Sequence, residues 1–288
     1  MCANGVEVRA LPIAGEGSEP MGAVVCVRES QKFDVCRAIP IILAAIGLLM
    51  FLPSCTEFIV TRVPRPFEGS ALGLDRPPWS HGDNVEYRVL DGSGDYLGYV
   101  NFSFSRDGWN WVLKRSGETA RLEEHFVTSL DGFSLRPISQ EKTLVTPDGT
   151  LEVVARYSGN KVEITAWTGS QPSARRDGVR PDRATLSIPP DAIDNDQLPM
   201  VLRSLPFAEG YTLKCTNVIP ELFLKTPTTI TVLGNDDIET AIGVFHAWKV
   251  EADFGQIKHY LWYQVAEPHH LVKYDNGDTL FLLAKANR

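Results

Sequence analysis

The chain has 288 residues, 43% of them hydrophobic and 22% charged, with a formal net charge of −8. That length allows one large or two small domains, and the mild acidity without a clustered basic face excludes a nucleic-acid signature. Five cysteines occur, at positions 2, 26, 36, 55 and 215, and no pair of them has metal-ligand spacing.

Residues 1–20 show no periodicity and read as an upstream lead, with Met21 as a candidate true start. Arg28, Lys32 and Arg37 then precede the most apolar stretch of the chain, 41–58, which is uncharged from Ala38 to Thr56. A spanning helix needs roughly 20 apolar residues. The most apolar part, Ile41 to Leu52, is shorter, and Pro53 stops a helix there. A basic region, a short apolar run and a small residue at the cut form the order of a secretory signal. Leu52-Pro53-Ser54-Cys55 resembles the lipobox of bacterial lipoproteins, although Pro53 is unusual at its position. The resemblance implies that residues 1–54 are a leader and that Cys55 is the lipidation site, holding the rest at a membrane outside the cytoplasm. Thr56 in place of Asp points to the outer membrane where a cell has two. The alternative is an uncleaved N-terminal anchor helix, which also leaves the body extracytoplasmic, at the cell surface or in the periplasm.

Cleavage before Cys55 leaves 234 residues with net charge −7, because the leader holds four of the 28 basic and five of the 36 acidic residues. Cys215 is then the one cysteine besides the acylated one, and its strand-like flanks predict a buried, inert thiol. Residues 55–80 carry several prolines and no alternation, which predicts an extended tether. From His81 the pattern changes. Val85–Val89 and Tyr96–Ser105 alternate with period two around Asp91-Gly-Ser-Gly-Asp95, a hairpin signal. Runs at 109–115, 120–130, 151–157 and 161–167 continue the rhythm, the last two joined by Gly159-Asn160. The polar loop 171–183 carries four arginines, diluted by Asp177 and Asp182, and reads as solvated.

Residues 194–207 predict one helix, with Asp194 and Asn195 as caps and Pro199 in the first turn. Leu198, Val201, Leu202 and Leu205 form a single apolar stripe that should pack on a sheet face. Strand-like runs resume after it, the last turn being Asp275-Asn-Gly-Asp278. No linker or repeat divides 81–288, so the expected fold is one mainly β domain: an antiparallel, strongly curved or barrel-like sheet with one short helix packed on it.

The order of these pieces resembles a bacterial envelope family, the domain of unknown function DUF3108. The resemblance rests on Gly98-Tyr99-Val100, Leu135-Arg136-Pro137, the run from Asp194 to Pro206, Leu261-Trp262-Tyr263, and Pro268 to Tyr274 with its Asp-Asn-Gly turn. It covers roughly 81–285. It implies a curved antiparallel sheet with a helix, and it supplies no activity and no catalytic residues. Its sheets are similar to lipoprotein-carrier folds that hold acyl chains, an analogy of fold alone.

The chemistry-bearing motifs are missing: no G-x-S-x-G, no phosphate-binding G-x-x-x-x-G-K-[ST] and no H-E-x-x-H. Glu123 and His125 share a strand face and read as a surface pair. His269 and His270, adjacent on an extended chain, should point apart and not share a metal. Asp236-Asp237 falls in a turn. The sequence therefore predicts no enzyme, no cofactor and no metal site. Trp109 and Trp111 share a predicted face, as do Tyr260 and Trp262. They read first as core, and otherwise as the wall of a cavity for a lipid or amphiphile. Three functions remain open: a lipid-anchored binder of such a ligand, an assembly module for an envelope protein or cell-wall polymer, and a hydrolase built around His125 or His246.

Overall fold

The computed structural model describes residues 72–170 and 180–287. The stretch 41–58 with Cys55 and the arginine-bearing segment 171–179 lie outside the described residues. Among those described, no helix is long and apolar enough to cross a membrane.

Strands come in two meanders. The first comprises β1 (Asn84–Asp91), β2 (Tyr96–Asp107), β3 (Asn110–Thr119), β4 (Glu123–Leu130), β5 (Pro137–Thr146), β6 (Gly149–Ser158), β7 (Lys161–Gly169) and β8 (Asp182–Ser187). The second comprises β9 (Ala192–Asp194), β10 (Thr212–Ile219), β11 (Leu224–Thr240), β12 (Gly243–Asp253), β13 (Lys258–Gln264), β14 (Leu271–Asp275) and β15 (Thr279–Asn287). They form a single 15-stranded sheet in which β1 pairs with β15, so β8 and β9 are the two edges. Every pairing is antiparallel except the short parallel one between β9 and β10. The predicted hairpins at 91–95, 159–160 and 275–278 are all present, since Gly, Asn and Asp supply the backbone angles that tight turns need.

The sheet curls until its edges approach. Lys225 on β11 donates to Ser187 O at the end of β8. An apolar cluster spans this seam, with Val153, Ile164 and Ala166 of the first meander against Ala192 and Val218 of the second. The curl thus closes by side chains rather than by a ladder between β8 and β9. The fold is the mainly β, barrel-like sheet that the alternation predicts.

The helix differs from expectation. Among the described residues only Leu198–Val201 is α-helical (α1), followed by a single 3-10 turn at 202–204. Asp194 belongs to β9, and Gln197 is the N-cap, with no side-chain cap bond. Residues 198–206 are all buried, not one stripe of them. The segment plugs the interior of the curl: Tyr263 on β13 donates to Pro199 O (2.8 Å), while Arg203 donates to Pro268 O (2.9 Å) and His269 O (3.1 Å). A plug surrounded by strands needs no polar face, which is why the chain tolerates two prolines beside so few helical turns.

Residues 72–80 fall in the expected tether, yet they are packed into the body. Leu72, Leu74 and Trp79 are buried. Trp79 stacks on Phe104 (centroids 4.9 Å) and meets Trp111 edge-on (6.0 Å), and Asp75 N–H bonds Ser204 O (2.7 Å). The proline run fixes an extended chain whose apolar side chains then find a groove, so prolines alone did not mean solvent.

Candidate functional site

The inner face of β3, β4 and β5 carries charge. On β4, alternation turns Glu124, Phe126 and Thr128 inward, and their cross-strand neighbours are Gly117, Arg115 and Leu113 on β3 and Leu144, Lys142 and Gln140 on β5. Glu124 sits diagonally between two cations. Its carboxylate takes Arg115 Nη2 at 2.8 Å and Lys142 Nζ at 3.4 Å. Lys142 reaches on across the seam to Asp196 Oδ1 (3.0 Å) and Glu221 Oε1 (3.1 Å). Gln140 also donates to Asp196, and Tyr157 OH donates to Asp194 Oδ2 at 2.5 Å. This knot therefore joins β3 to β6 with the β9–α1 segment and the turn after β10.

Burial sets its electrostatics. Burial alone would lower the Lys142 ammonium, but Asp196, Glu221 and Glu124 outweigh it and hold its pKa above the ordinary lysine range. Burial, aided by the Asp196 charge, pushes Asp194 well above its ordinary 3.8, against the Tyr157 hydrogen bond. Burial and Asp196 likewise raise Glu221, against Lys142. A lysine held charged by three carboxylates is a tie between elements and not a nucleophile.

On one side the knot meets a cleft of about 260 Å3 at an end of the curl. Its walls are apolar, formed by Val89, Leu97, Val100, Leu122 and Phe281, and Arg115 and Glu124 form part of its lining. Gly117 opens it: a Cβ there would stand 2.8 Å from Val100 Cγ2. Arg115 is caged by Phe102, Phe126 and Phe281, each centroid 5.5–5.8 Å from its Cζ, and its buried Nε has no acceptor among the described residues. The interior beyond is filled. The gap between Tyr87, Phe102, Pro199, Leu271, Tyr274 and Phe281 is about 10 Å3, no larger than a water site. Other surface hollows, including one of about 340 Å3 at Ser80, His81, Asp83 and Glu267, are lined mainly by polar residues.

The four aromatics singled out from sequence do not form one wall. Trp109 is not on β3 at all. It sits in the two-residue turn Gly108–Trp109 (Gly108 φ 57°), is 79% exposed and stacks on Phe133. Trp111 is core, beneath Arg106. Tyr260 and Trp262 lie together on β13, with Trp262 Nε1 donating to Asp236 (2.8 Å) and the ammoniums of Lys249 and Lys273 over its ring. None of the four lines the cleft. Sequence reasoning missed the residues that do. The available signal was a charged residue, Arg115, on the apolar phase of a period-two strand, next to a glycine on that same phase.

The histidines stay apart. His125 pairs with Glu123 (2.9 Å) and His246 with Asp237 (2.8 Å), and all four side chains are more than half exposed. His269 Nδ1 is 3.0 Å from Gln264 O, and His270 is buried beside Arg203. Cys215 is a buried free thiol, its pKa pushed up to about 12 by burial.

Comparison with known proteins gives one family and three distant folds. The model of a family described as a protein of unknown function, DUF3108, matches residues 84–287. No curated protein matches the chain. A β-barrel-like DUF1849 protein from Brucella abortus is 10% identical, with TM-score 0.43 over 74% of this chain and 98% of its own. An exported-protein candidate with a YmcC-like fold from Bacteroides fragilis is 7% identical, with TM-score 0.31 over 75% and 99%. A lipoprotein candidate from Parabacteroides distasonis is 9% identical, with TM-score 0.25 over 74% and 98%. Likeness this remote carries no functional argument.

Proposed function

We propose, from the premise that this chain belongs to the DUF3108 family, that it is a lipid-anchored extracytoplasmic protein without catalytic activity. In this reading it binds a small apolar or amphiphilic ligand at the end of its sheet. The anchor reading rests on the Leu52–Cys55 lipobox pattern. The observation that carries the binding reading is the cleft of about 260 Å3, apolar on its walls, with the caged Arg115 in its lining. Apolar walls with a few polar groups, here Arg115, Glu124, Thr119, Asn276 and Thr279, are the usual make-up of a ligand site. The volume lies below the roughly 300–1,000 Å3 of drug-sized pockets, so the ligand is a short or single chain and not a multi-chain lipid.

Two measurements test this. Cys55→Ala should abolish acylation and leave either an uncleaved precursor or a mislocalised protein; unchanged attachment with unchanged N-terminal processing removes the anchor. Native mass spectrometry of the gently purified exported protein should show a discrete added mass that organic solvent extracts as lipid. A bare mass, together with no uptake of a fluorescent medium-chain fatty acid, removes the ligand.

A further inference from the structure

The two ends of the curl are not equivalent. Antiparallel pairing puts the turns after β1, β3, β5, β12 and β14 at the cleft end, and those after β2, β4, β6, β11 and β13 at the other. The chain enters at this second end, where Trp79 stacks on Phe104, Asp75 N–H bonds Ser204 O of the plug, and Leu72 and Leu74 are buried. This end also carries apolar projections. Trp109 (79% exposed) and Phe133 stack at 6.3 Å on neighbouring turns. The β11–β12 hairpin runs on beyond its neighbours as a two-stranded arm, because β10 pairs with β11 only up to Thr231 and β13 with β12 only from Ala247. Ile242 and Val244 are exposed at its tip.

We infer that the entry end rests on a lipid bilayer, with the Trp109–Phe133 stack and the arm tip in the headgroup layer and the cleft turned away from it. The inference rests on the Cys55 anchor. Leu72 lies 17 positions after Cys55, which bounds the connecting chain at about 60 Å. Presenting the cleft end would spend about 40 Å of that reach running along a strand as long as the 12-residue β2. Entropy therefore favours the entry end facing the membrane. The side chains there suit the place: an aromatic ring with a polar N–H prefers the membrane interface, and partly inserted apolar residues add a second attachment to the lipid anchor. Exposed apolar residues at the cleft end, Tyr96, Leu222, Leu224 and Ile257, show that exposure alone does not choose between the ends. The point of chain entry does.

The test uses the processed, acylated protein with one added cysteine at a time: Trp109→Cys, Val244→Cys, Tyr96→Cys or Ile257→Cys. Cys215 is buried, so an environment-sensitive fluorophore labels the added site. The protein is placed on phosphatidylcholine vesicles containing bromine-labelled acyl chains, and flotation checks attachment. The expected result is quenched, blue-shifted emission at 109 and 244 and unchanged emission at 96 and 257. Protein that fails to float overturns the anchor, and this orientation with it. Protein that floats but is unquenched at 109 and 244, or equally quenched at both ends, overturns the orientation alone. Unquenched label at 109 that a soluble quencher also cannot reach would assign that surface to contact between copies of the protein and overturn the orientation.

Discussion

The ammonium of Lys142 on β5 lies 3.0 Å from the carboxylate of Asp196, 54 residues on, and this pair ties the first meander to the second. A sheet whose edges are not hydrogen-bonded to each other depends on such ties. Lys142→Met should therefore cost about 3–5 kcal/mol in chemical denaturation, because it strands Asp196, Glu221 and Glu124 without their cation. Lys161→Ala, which breaks the exposed 2.6 Å pair with Glu163, should leave the denaturation midpoint essentially unchanged. Equal losses in the two variants would refute the tie.

The knot also predicts the direction of pH dependence. Asp194 and Glu221 have pKa values raised above their ordinary 3.8 and 4.5, so the folded state holds their protons more tightly than the unfolded chain. Their contribution is full below those ordinary values and is lost as pH rises through the folded ones. Lys142, also raised, contributes below 10.5 and loses its contribution above its folded pKa. Asp194→Asn keeps an acceptor for Asp196 N–H and removes one of the titrating acids. Its melting temperature relative to the native protein should rise as pH increases above 3.8, the ordinary value; an unchanged difference would show that folding does not raise the Asp194 pKa.

Trp79→Ala should destabilise by about 3–5 kcal/mol, the loss expected for a buried aromatic. Deleting residues up to Ser80 should cost at least as much, since Leu72 and Leu74 leave the core as well. A fragment beginning at His81 with the same urea midpoint as the longer protein would show that the packed segment is dispensable.

At the cleft, Leu97→Asp places a charge in the apolar wall without touching the Lys142 knot. Burying a leucine is worth about 1.5–3 kcal/mol, so ligand affinity should fall by roughly tenfold or more, and because Leu97 also packs against the core the melting temperature should fall too. Titration of a fluorescent fatty acid, at a temperature where calorimetry shows the variant folded, reads the affinity. Undiminished uptake would move the ligand elsewhere.

Much of the fold is legible in single strands. Period-two alternation and Gly-Asn or Asp-Gly turns mark the hairpins, because both are local consequences of backbone geometry. The rest depends on partners far off in sequence. Trp109 belongs to the Trp109–Leu113 alternation, yet Asp107 pairs with Asn110 and leaves it in a turn. The Leu198–Leu205 stripe fits a helix of twice the length, but the enclosing sheet leaves room for only a short one. Lys142 looks like an ordinary solvent-facing charge until its carboxylate partners Asp196 and Glu221 arrive from the other meander.

The pairing of β1 with β15 sets the timing of folding. Asn84 finds its partner in Asn287, so the first strand stays half-paired until the last residues of the domain are available. Loop closure over that separation is entropically costly, and so much non-local pairing folds slowly. Under the proposed extracytoplasmic location, which requires the chain to cross a membrane extended, this delay is useful. No shorter stretch can complete the sheet and jam in transit, and the β1–β15 ladder locks only once the whole domain has arrived.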